Sequence, residues 1–222
     1  MKRHVRNGLV CTLAALLLAL AGCGGDSAAN RAASAMATTP AGFKVYQPSG
    51  KGFSVALPPN WTTVSPSTLQ GTGSALDDDP KLKPLVQRFR AELDSGIFSI
   101  IAIDTSHAAL ARMGRTGRST HVLIASHPSI GFTADQLSQV AAASAKNTLR
   151  SAFSATAPFP LEGGSAAVTT ITGTIPLSNT PIFEWMLVAV HQQTTVDVVL
   201  VSSTSGGYQA AFYAIARSVR FV

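Results

Sequence analysis

Cysteine is nearly missing from this chain: two in 222 residues, Cys11 and Cys23, both ahead of any segment with folding periodicity. No disulfide can therefore staple the folded part, which must stand on its hydrophobic core. Charge is also scarce, with Asp, Glu, Lys and Arg together only 13% of the residues. Of the 17 Lys and Arg, three (Lys2, Arg3, Arg6) precede residue 23, leaving 14 against 11 acids, a balance of +3. With no basic helix and no aromatic-basic alternation, that balance excludes a nucleic-acid binder. The nucleophile elbow, the P-loop, G-x-G-x-x-G, H-E-x-x-H and C-x-x-C are all absent. Long apolar runs are lacking too, since Leu9 to Ala21 would span roughly 20 Å as a helix, short of the ~30 Å hydrocarbon core.

What is present at the N-terminus is an address. Lys2, Arg3, His4 and Arg6 form a basic region without acids, and the apolar block after it has the length of a secretory h-region. That block ends in Leu20-Ala21-Gly22-Cys23, which resembles the lipobox of bacterial lipoproteins. The resemblance implies cleavage before Cys23, a thioether-linked diacylglycerol on its sulfur with further acylation, and anchoring at the extracytoplasmic face of the cell membrane. Residues 1–22 are thus expected to be a signal peptide and 23–42 a lipidated cysteine with a flexible tether. Residues 24–42, "GGDSAANRAASAMATTPAG", are small, polar and aperiodic, and would hold the domain roughly 25 Å from the bilayer. Thr38-Thr39-Pro40 could also accept sugar.

Residues 43–222 read as one domain. "FKVYQ" and "GFSVALP" are short strands around a Pro48-Ser49-Gly50 turn, and Pro58-Pro59-Asn60 delivers Trp61 as a plug for the sheet. Leu82, Leu85, Val86, Phe89 and Leu93 recur at helical spacing, with Asp77 to Asp79 as acidic caps rather than a calcium loop. "IFSIIAID" and "STHVLIAS" are strands joined by a Gly- and Arg-rich connection. A capping box at Thr133 and Gln136 opens a helix expected to run as far as Phe153. "AAVTTITGTIP", "IFEWMLVAVH" and "TVDVVLVSS" then form a meander, and a helix with Tyr208, Phe212, Ile215, Ala216 and Val219 on one face closes the chain. Its middle strand is apolar on both faces apart from Glu184, as a central strand between two layers should be.

The order β-β-α-β-β-α-β-β-β-α predicts an α+β fold, a mostly antiparallel sheet flanked by helices. The string "GFSVALPPNW", the "EGGSAA" run into the meander (Glu162 to Ala167) and the closing "FYAIARSVRF" resemble the PsbP-like α/β/α sandwich, whose superfamily includes actinobacterial lipoproteins of the LpqN type. That resemblance implies a binding or accessory module of the cell envelope with protein or lipid partners. It brings no catalytic residue and no cofactor.

Site candidates read directly from the residues are few. Arg112, Arg115 and Arg118 punctuate "ARMGRTGRST", a glycine-hinged loop suited to an anionic headgroup or an acidic partner. Asp197 interrupts an apolar strand and must reach solvent, meet a cation such as Arg217 or Arg220, or serve as the polar anchor of a ligand pocket. His121 and His127 share a strand face but lie roughly 20 Å apart, too far to clasp one metal. His107 is near Asp104 without a specified nucleophile, and His191 closes a strand at a turn. Gly71-Thr72-Gly73 is half a phosphate loop. No catalytic set and no metal set emerges. Three functions fit: a non-enzymatic, membrane-anchored interaction or accessory module; a carrier of a lipid or small apolar ligand between sheet and helices; and an unrecognised hydrolase.

Overall fold

The computed structural model describes residues 39–64, 83–129, 131–176 and 178–222. Cys23, most of the tether, Gly71 to Gly73, Asp77 to Asp79, Leu82 and the side chains of Leu85 and Val86 lie outside the described part. The elements in chain order are β1 (Lys44–Tyr46), β2 (Phe53–Leu57), β3 (Trp61–Val64), α1 (Lys83–Asp94), β4 (Phe98–Asp104), α2 (His107–Thr116) and β5 (His121–Pro128). After these come α3 (Ala134–Thr148), β6 (Arg150–Phe159), β7 (Ser165–Thr174), β8 (Pro181–His191), β9 (Thr194–Ser202), α4 (Tyr208–Arg217) and β10 (Arg220–Phe221).

Seven strands form one antiparallel sheet in the order β3-β4-β5-β9-β8-β7-β6. The meander β6 to β9 folds back on itself so that β9 docks against β5, closing the long connection through α3. A second sheet, β1-β2-β10, brings the two ends of the domain together: Phe221 pairs with Phe53. This is an α+β fold with a mostly antiparallel sheet flanked by helices.

Each large strand feeds two cores because successive side chains alternate between faces. On one face Ile100, Ala102, Val122, Ile124, Trp185, Leu187, Val198 and Leu200 pack against Phe53, Val55 and Leu57 of β2 and Phe212 and Ile215 of α4. On the other, Ile101, Ile103, Leu123, Met186, Val188 and Val199 meet Phe89 and Leu93 of α1 and Leu137 and Ala141 of α3, with Ala145 and Leu149 seated on Ile171 and Ile182. The inner strands β8 and β9 lie under both cores, which is why their sequences run almost continuously apolar. Trp61, just past the end of β2 and first in β3, is 5% exposed and plugs the first core.

Three expectations need correction. The Gly- and Arg-rich connection is a helix, α2: Ser106 accepts a hydrogen bond from the Ala109 N–H, and Gly117, at φ 66°, ends the helix with its N–H on the Met113 carbonyl. Gly114 and Gly117 gave it the punctuation of a loop, but Leu110 and Met113, three apart, anchor one side on the core. The helix at Thr133 keeps both bonds of its capping box yet stops at Thr148, and residues 150–159 are strand β6. Phe153 is consequently not part of a helical stripe; it is 63% exposed on the edge of the sheet. Small residues and Pro158 hid this strand, and an edge position is where a strand tolerates proline.

Candidate functional site

The arginines divide. Arg112 is half-buried: its guanidinium lies over the Tyr208 ring, 5.4 Å from the centroid, and donates to the Tyr208 hydroxyl. Tyr208 in turn donates to Asp104 Oδ2 at 2.7 Å, while Asp104 Oδ1 accepts from Asn60 Nδ2 at 3.1 Å and from the Ser106 N–H at 2.9 Å. Asp104 is only 5% exposed, so these donors replace its lost water. Burial, and then the bond to Asp104, push the Tyr208 hydroxyl above its ordinary pKa and keep it a donor. Arg115 stands exposed on the last turn of α2, and Arg118 follows the Gly117 cap, half-buried. The flexible three-arginine loop expected from the sequence is thus a short helix whose first arginine locks α2 to α4. His107 begins that helix, exposed, and the side chains bonded to Asp104 are those of Asn60 and Tyr208.

Asp197 finds a cation, but neither Arg217 nor Arg220. On the sheet face toward α3, His127 Nε2 meets Asp197 Oδ2 at 2.9 Å, with Asp197 8% exposed. The strands supply this pair: Ala125 faces Asp197 across the β5–β9 ladder and His127 faces Thr195, leaving the two side chains diagonal neighbours. The other ring nitrogen, Nδ1, faces the Pro128 carbonyl at 3.2 Å. An imidazole with an acceptor at each nitrogen favours the doubly protonated form. The hydrogen bond to Asp197 raises the His127 pKa, against the opposing pull of desolvation. Held this way, both ring nitrogens of His127 face an acceptor and Asp197 is committed to it.

The remaining histidines are structural neighbours of aromatic rings. His121 lies 5.0 Å from the Phe89 ring and its Nδ1 is 3.1 Å from Ser119 Oγ. His191 stacks on Phe221 at 5.1 Å and bonds the Gly163 carbonyl through Nδ1. His121 and His127 do share a face of β5, with separate partners. Among the described residues no three His, Cys, Asp or Glu side chains converge as metal ligands.

One row of the sheet does carry an unspent group. Reading across strands on the face of α1 and α3, Ile103 of β4, His121 of β5, Val201 of β9, Glu184 of β8 and Ile171 of β7 stand side by side. Ile103 and Ile171 are buried, but the three between them keep accessible surface. α1 packs on the β4 side and α3 on the β7 side, with Val201 touching both helix-side cores, and among the described residues the half-buried trio is the floor of an opening between the helices. Glu184 has no hydrogen bond or ion pair among the described residues, and desolvation alone lifts its carboxyl to about 7. Glu184 is absent from the site candidates that motif and spacing supply; a lone acid in an apolar central strand is its only signal in the sequence.

No protein-family model and no curated protein matches this chain. Among solved structures it is similar to cyanobacterial PsbP (CyanoP) from Synechocystis sp. PCC 6803, with a TM-score of 0.50 and 13% identity, covering 91% of this chain and 99% of that one. The fold is PsbP-like. At that identity the likeness extends to the arrangement of the PsbP-like sheet and its helices and leaves the side chains described above as this chain's own.

Proposed function

We propose that this PsbP-like domain is a non-enzymatic, membrane-anchored lipoprotein of the LpqN type, an accessory or protein-interaction module on the extracytoplasmic face of an actinobacterial envelope. Cys23 carries the lipid and the tether sets the domain's reach. One observation supports the non-enzymatic reading above others: the acid, base and arginine groups best suited to chemistry are bound to one another, Asp197 to His127 and Asp104 to Tyr208 and Arg112. The contact surface we favour is the outer strand β6, where Phe153, Ala155 and Ala157 stand exposed on one face of the sheet edge. Cross-linking in intact envelopes followed by mass spectrometry should recover an envelope protein with the wild type and lose it with Phe153→Glu. Cys23→Ala should release the protein from the membrane fraction with a lower mass. Unchanged partitioning of Cys23→Ala would remove the anchor, and an unchanged cross-link in Phe153→Glu would remove the surface.

A second reading, a carrier of a small apolar ligand between sheet and helices, draws support from the opening above His121, Val201 and Glu184. Its polar anchor is then Glu184 rather than Asp197, which His127 occupies.

A further inference from the structure

Glu184 is hemmed in by hydrocarbon. Its neighbours along β8 are Ile182 and Met186, and across the ladders it faces Ile171 and Val201. A carboxylate in such a place is costly unless paired. Elsewhere this protein pairs its buried acids: Asp104 with three donors, Asp197 with a histidine. Among the described residues Glu184 departs from that pattern, and the row it stands on keeps accessible surface.

We propose that the opening between α1 and α3 binds a small amphiphilic amine, its ammonium group pairing with Glu184 and its apolar body lying across Val201 toward His121 and Phe89. This rests on the carrier reading and names its ligand class. Adjacent strands lie about 4.8 Å apart, so His121 and Glu184, two strands apart, define a floor about 10 Å long. Val201 supplies its apolar middle, and the Phe89 ring closes the far end over His121 at 5.0 Å. An anionic ligand would meet the carboxylate's own charge, and a purely apolar one would leave it unpaired in a drier site. An ammonium ion gains a charge-assisted hydrogen bond in surroundings where such bonds are strong. The other charged or titratable groups on the surrounding elements are Lys83, Arg88, Arg90, Glu92 and Asp94 on α1, Asp135 and Lys146 on α3, His121 and His127 on β5, His191 on β8, and Asp197 on β9, which His127 holds.

The test is calorimetric titration of the intact protein with octylammonium, octan-1-ol and octanoate at pH 6 and pH 8. With a carboxyl of about 7, the ionised fraction rises from about one tenth to about nine tenths across that interval while the amine stays charged, so octylammonium should bind about tenfold more tightly at pH 8. Octanol should bind more weakly and without that step, and octanoate should not bind. Glu184→Gln, the isosteric variant, should lose the pH step and at least tenfold in octylammonium affinity at pH 8, with octanol unaffected. His121→Gln should keep the step, which separates the two titrating groups. Equal binding of octanol and octylammonium at both pH values, or an unchanged step in Glu184→Gln, would overturn the amine site and leave the carrier standing. Absence of binding by all three would overturn both.

Discussion

Replacing Glu184 by glutamine tests the physical account of the opening without any ligand. The free carboxyl has an ordinary value of 4.5, and burial among Ile171, Ile182, Met186 and Val201 lifts it to about 7. Because the folded value lies above the unfolded one, folding takes up a proton between the two. The folded state therefore carries no penalty below about pH 4.5 and loses stability as pH rises through 7. At 1.36 kcal/mol for each pH unit, the full penalty is of order 3 kcal/mol at pH 9. Glutamine keeps the shape and has nothing to ionise. Urea unfolding at pH 5 and pH 9 should show Glu184→Gln close to wild type at pH 5 and about 3 kcal/mol more stable at pH 9, with unchanged m-values. A variant that is equally or less stable than wild type at pH 9 would mean the carboxylate is solvated or paired, and the argument for an unspent acid would fail.

The His127–Asp197 pair makes a prediction of the same sign from a different cause. His127 is raised above its unfolded value by the bond to Asp197, so the pair's contribution is complete below about pH 6.5 and is lost as pH rises through the folded value. Asp197→Asn should cost about 1.5–3 kcal/mol at pH 6 and progressively less above it by denaturant unfolding; a cost that does not change with pH would refute the charged pair. Tyr208→Phe removes a donor from buried Asp104 and the acceptor for Arg112, and should cost about 1–3 kcal/mol in thermal or urea unfolding. A neutral result there would mean water replaces the hydroxyl. At Gly164 an added Cβ would fall 2.7 Å from the Val190 carbonyl oxygen and 3.1 Å from the Phe221 ring, so Gly164→Ala should destabilise by about 1–3 kcal/mol through the fit of β7 against β8 and β10, read from the same curves. Wild-type stability in that variant would contradict the close approach.

The parts of the fold that the sequence announced are those with strong local period. Phe53, Val55 and Leu57 alternate, Thr133 and Gln136 cap, and the three apolar runs from Ala166 to Ser202 turn at Asn179-Thr180-Pro181 and at Gln192-Gln193. Where local signals conflicted, the reading failed. In α2, two glycines in "ARMGRTG" argued for a loop, yet tertiary packing of Leu110 and Met113, together with the Ser106 and Gly117 caps, outweighs a helix-propensity cost of about 1 kcal/mol for Gly114. In β6 the residues are small, and Leu149 and Phe153 happen to extend the spacing of the preceding helix. The pairing of Ala155 with Thr170 and of Ala157 with Val168, which a strand already in place provides, decides the matter.

The site was harder to foresee because its geometry is perpendicular to the chain. Sequence spacing reports neighbours along a strand, whereas His121, Val201 and Glu184 become neighbours only through the β5–β9 and β9–β8 registers. The same holds for His127 and Asp197, 70 residues apart, and for Asp104 and Tyr208, 104 apart. A slip of one residue in β9 would turn Asp197 and Val201 to the opposite face, separating the acid from its histidine and removing the apolar centre of the opening together. These two features therefore share one structural cause. Burial of Val196, Val198 and Leu200 against β2 and α4 fixes that register, so the packing of one face places the polar groups on the other.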